Sequence, residues 1–247
     1  MALISWLHLS DWHQEAPALS MARKKVRDAL LDRIRRRRDI SRQLARIDLI
    51  FFTGDLASAG LPDEYHAAQT EFLDPVLTAA NVSRDRLFLV PGNHDLEWSM
   101  LDTLPDLTGT FISQDAVSKW LEHPRKRHIL LEPMGAYTDF VRRYLGASGP
   151  TEPAYSYTRI VNAGGVRIAV TGLNSAWFSG RHKTDAKVDD RGFLIVGESA
   201  VYEALSMGDD ADIRFVLLHH PFDWLVEFER HRLDEELGRR YLHSAGT

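Results

Sequence analysis

The chain has no cysteine. Disulfides and thiolate metal sites are excluded, so a metal here must be held by histidine, aspartate, glutamate or asparagine. Long apolar runs are also missing: nothing approaches the roughly 18 residues of a membrane span. The N-terminus, Met1-Ala2-Leu3-Ile4-Ser5-Trp6-Leu7-His8, has no basic stretch, and its apolar run is too short for a signal peptide. Nor is positive charge in excess. The net charge is −5, which argues against a dedicated nucleic-acid binder with its broad basic face. No repeat, low-complexity tract or linker interrupts the 247 residues. With 44% apolar and 26% charged residues, the composition is that of one soluble domain with a substantial core, expected in a reducing cytoplasm with no membrane partner.

Short apolar runs at Leu3–Leu9, Ile47–Phe52, Leu87–Val90 and Ile213–Leu218 are expected to be buried strands. Between the first two, Val26, Leu30 and Ile34 lie four apart, as do Ile40 and Leu44. The two stripes are out of phase across Arg35-Arg36-Arg37-Arg38, which means two helices or one with a shifted buried face. Pro62-Asp63-Glu64 opens a further helix with Asp63 as its expected cap, Tyr65, Phe72, Val76 and Ala80 inward, and Pro75 as a kink or restart. Residues 97–150 are mainly helical and irregular. Tyr155–Val161 and Val166–Leu173 form a hairpin across Asn162-Ala163-Gly164-Gly165, followed by a polar loop to Gly192 and a helix near 197–206. The alternation of strand and helix gives an α/β architecture, parallel at first and partly antiparallel later.

Four polar clusters close four of these strands: Asp11-Trp12-His13, Gly54-Asp55, Gly92-Asn93-His94-Asp95 and His219-His220. Ligands bind at the carboxyl edge of such sheets, where loops leave the core and converge. Carboxylate, amide and imidazole ligands suit manganese, iron, zinc or magnesium. Gly54 and Gly92 let backbone approach closely. Asp-x-His or Gly-Asp alone is a weak signal, whereas Gly-Asn-His-Asp directly after a strand is stronger. His8, inside a strand, is expected to be a core histidine, and His220 to have a structural or supporting role.

Together, Asp11-x-His13, Gly54-Asp55, Gly92-Asn93-His94-Asp95 and His219 resemble the signature of the calcineurin-like metallophosphoesterase superfamily. The resemblance spans essentially the whole chain. It implies a four-layer α/β/β/α sandwich with two mixed sheets, and hydrolysis of phosphate mono- or diesters by two divalent ions (Mn, Fe or Zn) and a bridging hydroxide. It further implies that Asp11 and His13 bind one metal, Asp55 bridges both, and Asn93 and His219 bind the second. His94 faces the substrate, with Asp95 expected to fix its tautomer. The substrate implied is a small phosphate ester or nucleotide.

The superfamily's closing Gly-His-x-His is not found after His219, where only His220, His231 and His243 remain. The expectation is a single domain incomplete at its C-terminus, with Phe228–Leu242 as the helix before a missing strand. A degenerate site, or His243 as a substitute ligand, is the alternative. Leu7-His8-Leu9-Ser10-Asp11-Trp12-His13 is similar to the repair-nuclease branch, which makes a DNA nuclease the alternative enzyme. Arg86–Asp95 and Gly172–Trp177 look more like bacterial phosphodiesterase-type modules, some of which belong to larger signalling proteins. A non-catalytic sensor or scaffold is the alternative outside enzymes. Arg181 and His182, in the polar loop with Trp177, Phe178 and Lys183, are candidates for meeting a substrate phosphate, or a plain surface loop. Arg35–Arg38 and Arg125-Lys126-Arg127 are expected to be solvated faces rather than nucleic-acid contacts.

Overall fold

A computed structural model describes residues 3–245 apart from positions 18, 108, 185, 186 and 241. Strand β1 (Trp6–Leu9) leads through helices α1 (Met21–Arg35) and α2 (Arg37–Ile40) to β2 (Leu49–Thr53). Helices α3 (Pro62–Ala68) and α4 (Asp74–Ala80) then lead to β3 (Leu87–Val90). Both connections are helical crossovers, so the three strands pair in parallel with β2 central. β2 is buried at every position because both its faces are covered. β1 lies at the edge, and Trp6 is 45% exposed, which corrects the expectation of a fully buried first strand.

Two expectations for the helices also change. Leu31 and Ile34 form the buried face of α1 with Leu30 partly buried beside them, while Val26 is 65% exposed, so the expected stripe holds at its second half and fails at Val26. The four arginines mark a real break. Arg37 donates to the carbonyls of Ile34, Ala45, Ala79 and Ala80, tying this corner to α4, and Arg36 pairs with Asp32 and Asp39. The cap of α3 is Leu61, not Asp63, because Pro62 takes the first helical position and needs no hydrogen bond there. Glu64 instead reaches back to the amides of Ala59 and Leu61, at 2.9 and 3.1 Å. Ahead of Pro75 the chain makes a wider π turn, Gln69–Leu73, which relieves the proline's clash with the preceding turn.

Helices α5 (Trp98–Leu101), α6 (Gln114–Leu121), α7 (Pro124–Leu131) and α8 (Gly135–Leu145) follow. The hairpin β4 (Ser156–Ala163) and β5 (Val166–Leu173) turns on Gly164 and Gly165, whose φ angles of 58° and 81° only glycine adopts freely. A small hairpin, β6 (Lys183–Thr184) and β7 (Lys187–Val188), stands in the expected polar loop. Then come α9 (Glu198–Ser206), β8 (Ile213–Leu218), α10 (Glu227–Arg240) and β9 (Leu242–Ala245). β8 pairs in parallel with β5 and β9 with β8. Among the described residues only this second sheet is mixed, since the glycine turn supplies its one antiparallel pair. A strand therefore begins where the helix before a missing strand was expected to end. The register sets His243 opposite Val216, short of the edge where His219 stands, and its side chain lies outside those described.

The core forms three clusters. Ile50, Phe52, Leu87 and Leu89 pack against α1, α3, α4 and α8. Leu49, Phe51, Phe88 and Val90 on the opposite face meet Tyr157, Ile168, Val170, Phe215 and Leu217 of the second sheet. That sheet's other face, through Leu173, Val216 and Leu218, packs with Val201 and Leu205 of α9 and Leu233 and Leu237 of α10. No helix among the described residues is long and apolar enough to cross a membrane.

Glu229 ties α10 to the start of α9 by accepting from the amides of Val196 (2.8 Å) and Gly197 (3.0 Å). Burial pushes its carboxyl up to about 7; the two amides oppose this and the Glu198 charge adds to it. Unfolded, the group titrates near 4.5, so the folded chain holds the proton more tightly. The stability this confers is complete below that value and lost as pH rises through about 7. Compared with the parent, Glu229→Gln should therefore gain more than about 1 kcal/mol in urea denaturation between about pH 5 and about pH 8. A constant difference would show that the carboxylate stays ionised throughout.

Candidate metal centre

The loops after β1 and β2 continue the pairing of their strands. Asp11 N–H donates to the Gly54 carbonyl (3.1 Å), His13 N–H to that of Asp55 (2.9 Å) and Gln14 N–H to that of Leu56 (2.8 Å). This pairing holds Asp11, His13 and Asp55 at φ of 57°, 49° and 57°. Such angles are costly for residues with a Cβ and persist where surroundings enforce them, which is typical of functional sites. Three of the expected metal ligands are thus also three strained residues.

Asp55 is the centre of the arrangement. It is buried, and its Oδ1 accepts from the backbone N–H of His94 at 2.8 Å. Its Oδ2 lies 3.6 Å from His13 Nε2 and 3.5 Å from His219 Nε2. Two sets of possible ligand atoms share it, Asp11 with Asp55 and His219, and His13 with Asp55 and His94, with the atoms of each set within 4.8 Å of one another. The division differs from the expected one in grouping His13 with His94, although His13 Nε2 is also only 3.8 Å from Asp11 Oδ1.

The donor set suits a divalent cation. His219 places Nδ1 2.8 Å from the Thr53 carbonyl and His94 places its own 2.7 Å from that of Ser58. A carbonyl only accepts, so both rings carry their proton on Nδ1 and turn the Nε2 lone pair inward, the tautomer a metal requires. Gly54 and Gly92 complete the cradle. A Cβ on Gly54 would overlap the His219 ring, and one on Gly92 would overlap Asp55. Asn93 joins from the third strand; its Oδ1 is 3.1 Å from His220 Nε2. Burial, and then the charge of His219, push His220 down to about 3. This neutral ring is fixed through Ser175 Oγ at 3.1 Å from its Nδ1.

Burial raises the carboxyl pKa of Asp11, but hydrogen bonds from His13 and Ser10 and the His219 charge outweigh it, leaving the group below the usual range. His13 is raised, by its hydrogen bond to Asp11 against the effect of burial, with Asp55 adding. A cation bound there has to displace that proton.

Asp95 does not fix the His94 tautomer; the Ser58 carbonyl does. The Asp95 carboxylate is fully buried, accepting from the amides of Leu56 (3.3 Å), Ala57 (3.1 Å) and Gly92 (2.9 Å) and from Tyr65 Oη (3.0 Å). It therefore joins the second and third ligand loops. Burial, and then the Asp55 charge, raise it to about 6. Ser58 was invisible to sequence reasoning, since a backbone acceptor leaves no residue signature, and Tyr65, expected inward, had no predicted partner.

Arg181 lines an open cleft with Leu101, Asp102, Asp106 and His182. Its Nε and Nη2 atoms are buried without a hydrogen-bond partner, and its Cζ lies 5.5 Å from the Phe178 ring centroid. His182 stacks on Phe193 at 3.4 Å between ring centroids. The adjoining Gly180 packs on Trp98, whose indole donates to the Asn93 carbonyl at 2.8 Å. Arg127 pairs with Glu152, and Lys126 lies over Trp120.

A family model described as calcineurin-like phosphoesterase matches residues 4–244. Among curated proteins, an uncharacterized metallophosphoesterase-like protein, YydB of Bacillus subtilis (strain 168), is 28% identical over 151 residues. That alignment covers 60% of this chain but 29% of the relative, so the chain spans under a third of its length. Among solved structures, a hypothetical protein from Thermus thermophilus aligns at TM-score 0.39 and 16% identity, covering 98% of this chain and 66% of that one. A sulfate thiohydrolase from the same organism, SoxB, in complex with glycerol aligns at TM-score 0.44 and 14% identity, covering 99% and 48%. Both scores indicate distant likeness only.

Proposed function

Because the chain belongs to the calcineurin-like phosphoesterase family, we propose that it hydrolyses phosphate mono- or diesters with two divalent cations, manganese, iron or zinc, held by Asp11, His13, Asp55, Asn93 and His219. The observation that carries this is the single buried carboxylate, Asp55, shared by two ligand sets whose histidines present Nε2 inward. Two cations in such a site supply charge neutralisation for the phosphoryl oxygens and acidify an attacking water.

The residues supply the rest. Asp55 and the Gly54 and Gly92 turns hold the donors at fixed spacing. His94, anchored by Ser58, presents Nε2 where an imidazolium can protonate the departing alkoxide. Asp95 keeps the loops of Asp55 and Asn93 in register. Arg181 is the nearby candidate for an anionic oxygen of the substrate, with His182 beside it in the cleft. We also read the three core clusters as a four-layer stack in one domain, and the setting as cytoplasmic.

The test is manganese-dependent hydrolysis of bis-p-nitrophenyl phosphate by the protein. His94→Ala should lower kcat about 10²–10⁴-fold and, because His94 belongs to one of the two ligand sets, reduce bound metal without abolishing it. Turnover that survives a chelator would sink the metal-dependent reading, and an unaltered kcat in His94→Ala would remove that residue's role.

A further inference from the structure

Protonation of a leaving group fixes where the rest of an ester must lie. The departing oxygen has to come within about 2.6–3.2 Å of the acid, so the alcohol it belongs to extends over the residues beside that acid. At this centre the acid is His94. Its ring meets both a residue of the centre, His13, at 4.5 Å between centroids and 85°, and an outer aromatic, Trp98, at 6.4 Å and 38°.

A cavity of about 480 Å³ opens there, shared between Asn93 and His94 of the centre and Ser58, Leu61, Glu97 and Trp98 outside it. The volume lies within the roughly 300–1,000 Å³ usual for small-molecule sites. Its walls are mainly apolar, in contrast to the carboxylates and imidazoles of the centre it adjoins. The walls are also held in place. The Trp98 indole donates to the Asn93 carbonyl at 2.8 Å, the Leu61 amide to Glu64 at 3.1 Å and the Ser58 amide to the Gln14 carbonyl at 3.1 Å. Leu61 is nevertheless 43% exposed, so its backbone is fixed while its apolar surface stays open. Among the described lining residues the one carboxylate is Glu97, which accepts from Ser99 Oγ at 3.0 Å.

We propose that this cavity receives the alcohol portion of the ester and selects a neutral aromatic group, with Trp98 as its stacking surface and Glu97 as the barrier to anionic ones. This rests on the phosphoesterase reading of the centre. An indole anchored by its nitrogen offers a flat face at a fixed angle, and stacking on it separates planar rings from aliphatic groups of similar size. Like charges brought together repel, so Glu97 disfavours a carboxylate or a further phosphate on the leaving group. Nucleosides and simple aryl alcohols both present such a neutral ring.

The test compares phosphate monoesters of primary alcohols, which differ little in the chemical step, on the manganese-loaded protein. In kcat/KM, benzyl phosphate should exceed ethyl phosphate about tenfold, cyclohexylmethyl phosphate about threefold and 4-carboxybenzyl phosphate about fivefold. Trp98→Ala should bring the first two ratios to within about twofold of one. Trp98→Phe keeps a ring but loses the bond to Asn93, and should retain most of both ratios; a purely structural role for Trp98 would show equal loss in the two variants. Leu61→Ser, at an exposed position, should lower the first ratio, and Glu97→Gln only the third. Calorimetry with benzylphosphonate and ethylphosphonate, which do not hydrolyse, should give the same Trp98-dependent preference. Equal benzyl and ethyl values in the parent, or ratios unchanged in Trp98→Ala, overturn the pocket. Phosphonate binding with that preference but no ester hydrolysis would sink the phosphoesterase reading and leave the pocket standing. A kcat/KM for thymidine 5′-phosphate above that for benzyl phosphate would identify a nucleoside as the occupant, and one below it a smaller aromatic alcohol.

Discussion

Asp55→Ala is expected to lose both metals together and to reduce hydrolysis by more than about a hundredfold, since even a residue that only orients a ligand contributes roughly 10–100-fold. Among the described residues Asp55 is the one common to the two candidate ligand sets. Its Oδ1 also holds the Asn93-His94 turn through the His94 amide, so truncation removes a ligand and frees the turn. Asp11→Ala should act on one set and leave the other able to bind. Elemental analysis after dialysis separates the cases: near-zero metal for Asp55→Ala, a reduced but measurable amount for Asp11→Ala. Equal, partial loss in both would mean that Asp55 does not bridge. The fold should survive, because removing a buried carboxylate from beside Asp95 relieves repulsion between them.

Gly92→Ala is expected to destabilise the fold and empty the centre together. The backbone at Gly92 has φ −110°, which alanine adopts readily, so conformational strain is not the reason. The added Cβ would overlap Asp55 Oδ1 and come within 2.5 Å of the Asp55 amide nitrogen and 2.9 Å of its Cγ. Real Cβ atoms do not approach so closely, and the Asp55 backbone is pinned by its own loop pairing. Overpacking of this kind costs about 1–3 kcal/mol or more, and relief by moving Asp55 would dismantle the centre. Gly165→Ala is the control, with φ 81° and open space around it, where only backbone strain of about 1–2 kcal/mol applies. Denaturant midpoints should fall for both, but metal content only for Gly92→Ala. Normal metal occupancy in Gly92→Ala would show that the two loops can separate without loss of function.

The candidate positions were legible because each closes a strand, and strand ends are visible as apolar runs stopped by Gly, Asp or Pro. Asp11, Asp55, Asn93 and His219 could each be placed at the end of a strand on that basis, although not divided between two separate sheets. The partners of these residues were not. Sequence reasoning paired His94 with its neighbour Asp95, but the partner is a backbone oxygen of Ser58, and Asp95 instead collects amides from two loops. In α1 the buried residues are Leu31 and Ile34 rather than Val26, a packing choice that spacing alone does not show. β1 was read as buried from its apolar letters, which carry no information about edges.

The contact from His219 Nδ1 to the Thr53 carbonyl joins residues 166 positions apart. Every other ligand loop is assembled within the first 95 residues by nearest-neighbour parallel pairing. Closing so long a loop is entropically tolerable, since each doubling of length adds only about 0.6 kcal/mol, but topologies built on distant contacts fold slowly. The centre is consequently the last thing this chain can complete. A folding intermediate with its first sheet formed would already display Asp11, Asp55 and Asn93, yet the hollow above Gly54 would lack the imidazole that fills it. Metal uptake followed in time after dilution from denaturant should therefore lag behind the recovery of helical signal, and its rate should report the docking of one sheet on the other.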